Sequence, residues 1–147
     1  CWQGRRSEGN LNAWFGYIMT TQRALIVDDS EVLRRLIDMC LRPAGFETAA
    51  AASGAEAIET AATFVPDLVI LDIGLPDMTG WDVLEALRAS DVNAQAKVMI
   101  LSGYEDAHSE AKRLGADAAL VKPFRNNELR ALAVDLAGPR FSEASPA

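Results

Sequence analysis

Short apolar runs alternate with longer segments of helical periodicity along most of this chain. Four of the runs, at residues 24–27, 68–71, 98–101 and 118–121, contain no polar residue, which is typical of parallel strands covered on both faces. The segments between them repeat apolar residues every three or four positions, and several begin after Ser or end at Gly or Pro, as helices do. The pattern predicts an α/β fold.

The predicted strands are β1 (24–27), β2 (47–50), β3 (68–71), β4 (98–101) and β5 (118–121), and the predicted helices are α1 (31–42), α2 (54–64), α3 (81–89), α4 (105–114) and α5 (126–137). Because every strand is followed by a helix, right-handed crossovers give a flavodoxin-like five-stranded parallel sheet in the order 2-1-3-4-5 with five flanking helices. We expect one apolar stripe of α1 to face the core, formed by Val32, Leu33, Leu36, Ile37, Cys40 and Leu41.

The predicted domain covers residues 23–138, between an N-terminal extension (1–22) and a C-terminal tail (139–147). Met19 is a natural start for the domain, so residues 1–18 are residues added in cloning, residues from an upstream start, or a native tail. The apolar cluster Trp14, Phe15, Tyr17 and Ile18 is expected to dock as an amphipathic turn or short helix, if it docks at all. The tail is consistent with a stand-alone domain, or equally with the start of a linker to an output domain.

Composition narrows the function classes. A net charge of −7 and a pI near 4.7 argue against direct nucleic-acid binding by this domain and favour protein partners. Cys1 and Cys40 are too few for a disulfide framework, and Cys40 is expected to be a buried, reduced thiol, which indicates a cytoplasmic protein. No apolar run approaches the length that spans a bilayer. The oligomeric state is left open.

Chemically reactive side chains follow the predicted strands. Asp28 and Asp29 come after β1, Asp72 after β3, Ser102 after β4 and Lys122 after β5. The carboxyl ends of parallel strands share one edge of the sheet, where ligands of open α/β sheets bind, so we expect these groups to meet. Three carboxylates in one pocket repel one another and call for a cation, and an all-oxygen donor set favours Mg²⁺. With an ammonium and a hydroxyl beside them, the set predicts a phosphoryl-transfer site with Asp72 as nucleophile.

At these residues the chain resembles the receiver domain of two-component response regulators, of the chemotaxis-regulator type. The resemblance rests on "ALIVDDS", "PDLVILDIGLPDMTGWDVL", "VMILSGYED" and "GADAALVKPF", in the order and at the spacing of that family, and covers about four-fifths of the chain. It implies that Asp72 accepts a phosphoryl group from a histidine kinase or a histidine phosphotransfer protein. The domain would catalyse its own phosphorylation and dephosphorylation, and would change its affinity for a downstream protein target or output domain.

The resemblance also assigns roles to the neighbouring residues. Asp29 would bind Mg²⁺ directly, Asp28 mainly through water, and the Gly74 carbonyl would be a further ligand beside Asp72. Ser102 and Lys122 would contact the phosphoryl oxygens. The peptide bond between Lys122 and Pro123 is a candidate for the cis form, which is common at this position in the family.

The chain departs from the family three residues before the lysine. Receiver domains commonly have Tyr or Phe there, and the ring turns inward on phosphorylation, whereas this chain has Ala119. A methyl group has no such movement to make. Tyr104, two residues after Ser102, is the candidate that replaces this ring, and its alternative is a plain surface tyrosine at the rim of the pocket.

Three alternatives remain beside the phosphorylated receiver. A hydrolase of the haloacid dehalogenase type needs a second acid two residues after the nucleophile, where this chain has Gly74. A pseudo-receiver would act as a phosphorylation-independent binding or dimerisation module, but such domains generally lack an acid or the lysine. The chain can also be the receiver fragment of a larger regulator. Arg34 and Arg35 of α1 are expected to be solvated or to contribute to kinase docking.

Overall fold

A five-stranded parallel sheet organises residues Gln22–Gly138 of the computed structural model, which form one compact unit. The structure describes residues 17–19, 21–105, 107–138 and 141–143. The strands are β1 (Gln22–Val27), β2 (Phe46–Ala51), β3 (Leu68–Asp72), β4 (Lys97–Ser102) and β5 (Ala118–Val121), and the helices are α1 (Glu31–Leu41), α2 (Gly54–Phe64), α3 (Gly80–Ala89), α4 (Ala107–Leu114) and α5 (Asn126–Ala137). A short 3₁₀ helix, Arg42–Ala44, follows α1.

The strand order is β2-β1-β3-β4-β5 with every neighbouring pair parallel, so the predicted 2-1-3-4-5 topology is confirmed. β1 lies between β2 and β3, and its alternate residues enter two different cores. Leu25 and Val27 pack under α2, α3 and α4 on one face, while Ala24 and Ile26 pack under α1 and α5 on the other. Burial on both faces explains why β3, most of β4 and residues 24–27 of β1 are continuous apolar runs rather than alternating ones.

Helix α1 buries a narrower stripe than predicted. Ile37, Cys40 and Leu41 are buried, as expected, but Val32 is 79% exposed, so the prediction that Val32 faces the core is wrong. Successive helix residues are about 100° apart, so Val32 lies one step around the helix from Leu33 and beyond the edge of the contact with the sheet.

Helix starts follow the capping residues read from the sequence. Ser30 and Ser53 accept hydrogen bonds from the third residue of α1 and of α2. Helix α3 begins one residue earlier than predicted, at Gly80, because Thr79 and Asp82 form a reciprocal capping box. Helix α4 begins at Ala107 rather than at 105.

The terminal segments contain two short strands that pattern reading missed. Tyr17–Met19 pairs antiparallel with Phe141–Glu143, so the expectation of a turn or short helix at Tyr17 and Ile18 is wrong. Pairing between distant segments leaves no local period to read. Trp14 and Phe15 lie outside the described residues. None of the described helices combines the length and apolar character needed to cross a bilayer.

Candidate functional site

The register of the sheet brings the predicted site residues to one edge. Val27 of β1 is paired with Leu71 of β3, which places Asp28 and Asp72 next to each other at the ends of adjacent strands. On the other side of β3, Asp72 is paired with Leu101, so Ser102 follows one position later. Because β5 ends at Val121 opposite Ser102, Lys122 lies just beyond it at the same edge.

Three carboxylates form a compact cluster there. One oxygen from each of Asp28, Asp29 and Asp72 lies within 4.8 Å of the others. Asp28 and Asp72 are 1% and 7% exposed, whereas Asp29 is open to solvent. The cluster therefore contains two buried acids and a third acid, Asp29, that is accessible from solvent.

Lys122 supplies the positive charge of the cluster. Its Nζ donates to Asp72 Oδ1 over 3.0 Å and to Asp28 Oδ2 over 3.3 Å. Burial opposes the charge of this ammonium, but the hydrogen bond to Asp72 and the charges of Asp28 and Asp72 outweigh burial and raise the pKa of Lys122 above its usual range. Lys122 is therefore protonated, and it bridges the two buried acids. The Lys122–Pro123 peptide bond is cis.

Asp28 is held in place on both of its oxygens. Oδ1 accepts the backbone N–H of Ser30 over 2.8 Å, and Oδ2 accepts from Lys122. Burial raises the pKa of Asp28; the Ser30 bond and Lys122 lower it and the neighbouring Asp72 charge raises it further, with a net increase. The cluster thus resists carrying its full negative charge, which a bound cation would relieve.

The donor chemistry of the cluster fits a hard divalent cation. Every donor among the described residues of this cluster is a carboxylate oxygen, the type that Mg²⁺ prefers. With all groups ionised, the three acids and Lys122 leave an excess of two negative charges, which one divalent cation would neutralise. Asp28, Asp29 and Asp72 would hold it, and its chemistry would be to neutralise the charge on phosphate oxygens.

Ser102 and Tyr104 are linked through the β4–α4 loop. Ser102 is buried, and its Oγ accepts the backbone N–H of Tyr104 over 3.0 Å. The Tyr104 residue itself is 73% exposed. Ala119 is buried in the core formed with α4, so its methyl group does not reach the surface.

An open pocket of about 830 Å³ leads from Asp72 to solvent. Its walls are the loop between β3 and α3, which includes Gly74, and the β4–α4 loop, which includes Ser102 and Tyr104. A Cβ at position 74 would lie 4.0 Å from Asp72 Oδ2, an ordinary contact distance, so residue 74 lies directly beside that carboxylate.

Two residues that hold the loops of the site were not identified from the sequence. Arg34, expected to be solvated or to dock a kinase, is only partly exposed and donates from Nη1 to the carbonyl oxygen of Asp28 over 2.7 Å. Asp77, in the β3–α3 loop, accepts two backbone N–H groups of α2. The two bonds of Asp77 span more than twenty residues and depend on tertiary proximity, while the bond of Arg34 spans six residues across the β1–α1 turn. Neither arrangement has a spacing in the sequence that indicates it.

Comparison with known proteins gives a consistent set of relatives. Sporulation initiation phosphotransferase F of Bacillus subtilis (strain 168) is 35% identical over 112 residues, covering 76% of this chain and 90% of that protein. Transcriptional regulatory protein PrrA of Mycobacterium tuberculosis (strain ATCC 25618 / H37Rv) is 38% identical over 127 residues, covering 86% of this chain. The chain spans 54% of the length of PrrA, about half of that relative.

Solved structures show the same architecture. Chemotaxis response regulator CheY4 of Vibrio cholerae superimposes with a TM-score of 0.75 at 31% identity, over 80% of this chain and 99% of that one. Response regulator protein TrrA of Thermotoga maritima, solved in complex with Mg²⁺ and BeF, gives a TM-score of 0.71 at 33% identity, over 79% and 99% of the two chains. Residues 24–134 match the family described as response regulator receiver domain. With an acidic pocket able to bind Mg²⁺ at the expected edge of the sheet, this chain belongs to the receiver-domain family of two-component response regulators.

Proposed function

We propose that Asp72 accepts a phosphoryl group from a phosphohistidine and that the domain changes its affinity for a protein partner as a result. The observation that carries the proposal is the position of Lys122, whose ammonium lies 3.0 Å from Asp72 Oδ1. A carboxylate so placed has a positive charge beside the point where the negative charge of a phosphoryl group would arrive.

The transfer needs few protein groups. A carboxylate oxygen of Asp72 attacks the phosphorus, the P–N bond breaks, and the electron pair stays on the imidazole nitrogen of the donor. Lys122, already hydrogen-bonded to Asp72, can donate to a phosphoryl oxygen, and the Ser102 hydroxyl can donate to another. Water later attacks the phosphorus of the aspartyl phosphate and releases inorganic phosphate, which returns Asp72 to the carboxylate.

The Mg²⁺ that this chemistry calls for would be held by Asp29 directly, by Asp72 and the Gly74 carbonyl, and by Asp28 mainly through water. The arrangement of the acids supports this ranking. Both oxygens of Asp28 already accept hydrogen bonds, from Ser30 and Lys122, whereas Asp29 is exposed.

We further propose that Ser102 and Tyr104 transmit the change. A hydroxyl can donate one hydrogen bond while it accepts another. When Ser102 donates to a phosphoryl oxygen on Asp72 and shifts toward it, the Tyr104 amide bound to Ser102 Oγ must follow or lose its acceptor. The loop to α4 moves with it, and the exposed Tyr104 ring replaces the aromatic switch that Ala119 cannot provide.

Signalling through phosphorylation of Asp72 requires a donor protein and a protein that responds to the change. A histidine kinase or a histidine phosphotransfer protein is the proposed donor, and a protein target or an attached output domain is the proposed recipient of the signal. The names of the relatives, a phosphotransferase and a transcriptional regulatory protein, support both arrangements. Residues 23–138 are proposed as the signalling domain in either case.

The test is phosphorylation by a small donor. Incubation with acetyl phosphate or phosphoramidate and Mg²⁺ should add the mass of one phosphoryl group, stable in acid and labile in base. Asp72→Asn should abolish the adduct, and so should chelation of the metal. Asp67→Asn is the matched control, because Asp67 lies just before the opposite end of β3, where it accepts the Arg23 N–H, and the adduct should persist. A wild-type protein that gains no adduct would instead be a phosphorylation-independent binding module.

A further inference from the structure

The β3–α3 loop, residues 73–79, is fastened at its base. The N–H of Gly80 donates to the Ile73 carbonyl over 2.8 Å, and Gly74 and Thr79 form an isolated antiparallel bridge. A Cβ at Gly80 would lie 2.5 Å from the Asp72 carbonyl oxygen, so only glycine allows α3 to start this close to the end of β3. These contacts fix the two ends of the loop but do not involve its tip, residues 75–78.

The tip is held by helix α2. Asp77 Oδ1 accepts the N–H of Gly54 over 2.8 Å, and Asp77 Oδ2 accepts the N–H of Ala55 over 2.9 Å. These are the first two residues of α2, whose N–H groups have no acceptor within the helix. Ser53, the N-cap, is occupied by the N–H of Glu56. One carboxylate from a distant loop therefore satisfies the two amides that the local cap does not.

The loop and the helix also fit closely beside this bond. A Cβ at Gly54 would lie 2.3 Å from Met78 Cγ and 2.6 Å from its Sδ. The φ angle of Gly54 is not positive, so a side chain at this position is restricted by the space beside Met78 rather than by backbone conformation. The Met78 side chain thus packs directly over the start of α2, next to the Asp77 bonds.

From these contacts we propose that Asp77 is a positioning residue for the metal site: by tying the tip of the β3–α3 loop to the start of α2, it fixes the Gly74 carbonyl beside Asp72 and so sets the affinity for Mg²⁺. Gly74 is three residues from Asp77 and lines the same pocket as Asp72. A loop tied at base and tip holds its carbonyl in one place, whereas a loop tied only at its base must be ordered by the ion when it binds. The inference rests on the proposed assignment of Mg²⁺ to this pocket.

The chain offers a matched control at the same helix terminus. Glu56 Oε1 accepts the N–H of Ala52 over 2.8 Å, so Glu56, like Asp77, is a carboxylate that binds a backbone amide near the start of α2. Glu56 does not belong to the β3–α3 loop. Replacing Glu56 weakens the helix start alone, while replacing Asp77 weakens the helix start and frees the loop.

The experiment is a calorimetric titration of Mg²⁺ into the wild type, Asp77→Asn, Asp77→Ala, Gly54→Ala and Glu56→Gln, at a temperature where circular dichroism shows all of them folded. We expect Asp77→Ala to bind about tenfold more weakly, as is common when a residue that orients a metal ligand is removed. Asp77→Asn should fall in between, because an amide accepts through only one of its two groups. Gly54→Ala should weaken binding by pushing Met78 and the loop away, and Glu56→Gln should match the wild type.

Amide hydrogen exchange supplies a second readout that does not depend on the metal. Exchange at the amides of residues 74, 75 and 77–79 should accelerate in Asp77→Asn and Asp77→Ala but not in Glu56→Gln. Equal Mg²⁺ affinities for wild type and Asp77→Asn, or unchanged exchange in the loop, would overturn the role of Asp77 while leaving the proposed function intact. A wild type that binds no Mg²⁺ would instead overturn the assignment of the pocket itself, and the inference with it.

Discussion

Arg34 donates a hydrogen bond from its guanidinium to the main-chain carbonyl of Asp28, over 2.7 Å. This bond joins the first turns of α1 to the loop that carries the acidic pair, and the Ser30 N–H binds the Asp28 carboxylate from the same loop. Arg35, the next residue, pairs instead with Glu31 on the helix surface. Of these two neighbouring arginines, Arg34 supports the acidic loop and Arg35 forms a surface ion pair, so replacing them should affect stability differently.

Arg34→Ala should lower the free energy of unfolding by about 1–2 kcal/mol, because it leaves the partly buried Asp28 carbonyl without this donor. It should also weaken Mg²⁺ binding, since the acidic loop loses a support. Arg35→Ala should change stability by less than about 0.5 kcal/mol, as is usual for an exposed ion pair. Urea denaturation and Mg²⁺ titration measure both quantities. If the two alanine variants behave alike, Arg34 does not support the loop.

Asp29→Ala should weaken Mg²⁺ binding more than Asp28→Ala does. Removal of a direct ligand costs an inner-sphere bond, whereas a water-mediated acid contributes only an outer-sphere contact. Asp28 is already bonded through both oxygens, to Ser30 and to Lys122. Calorimetry on the two variants decides the ranking, and equal affinities would refute it.

Arg88→Lys should destabilise the domain by about 2 kcal/mol, because lysine cannot reproduce the planar set of donors. The guanidinium donates to the carbonyl oxygens of Ala94, Ala96 and Gly115 and to the carboxylate of Asp117, which joins α3 to the start of β5. Arg113→Lys is the control, since Arg113 pairs with Glu110 in an exposed position. Urea denaturation of both variants should show a loss for Arg88 alone.

The stabilisation that the fold gains from the hydrogen bonds of Asp77 to Gly54 and Ala55 should depend on pH. Hydrogen bonds from the N–H groups of Ala55 and Gly54 lower the pKa of Asp77 below its ordinary value of 3.8. A carboxyl group with a depressed pKa in the folded state stabilises the fold above its unfolded pKa, and that contribution is lost as pH falls through the folded pKa. The stability difference between wild type and Asp77→Asn should therefore be constant near neutral pH and close only below 3.8. Urea denaturation at a series of pH values tests this, and a gap that closes near neutrality would contradict it.

Beryllofluoride, which mimics the phosphoryl group, should change the ring resonances of Tyr104 and shift the amide resonances of Ser102 and α4. Ala119 should scarcely respond, because its methyl group is buried and has no rotamer to change. Tyr104→Ala should then abolish the phosphorylation dependence of partner binding. If the ring resonances of Tyr104 do not respond in nuclear magnetic resonance spectra, the signal passes through the backbone of the loop alone.

The sheet could be predicted because the sequence pattern that indicates each central strand lies within that strand. Each central strand is an apolar run whose two faces are buried, so residues such as Ile70 and Ile100 identify their strands without any tertiary information. The strand bounds differ from the prediction: β1 extends back to Gln22, and its polar residues Gln22 and Arg23 continue the pairing with β2. Polar residues at strand ends look the same as loop residues in a sequence.

The acids, hydroxyl and lysine of the site were predicted as a group because each directly follows a predicted strand, and parallel strands end at one edge of the sheet. The residues that support them were not. The bonds that Asp77 accepts from Gly54 and Ala55 join segments brought together by packing, and the bond from Arg34 to Asp28 depends on the path of the turn between β1 and α1. An arginine on a helix and an aspartate in a loop are both ordinary surface residues until the fold places an acceptor or a donor beside them.

The composition of β2 has a consequence for the behaviour of the protein at high concentration. Within the described residues β2 pairs with β1 alone, which makes it an edge strand, and edge strands are where strand-to-strand aggregation can begin. From Ala49 to Ala51 that edge carries only methyl groups, and alanine is a poor strand former with little surface for a second strand to grip. We expect the small side chains of this outer strand to disfavour pairing with a second molecule.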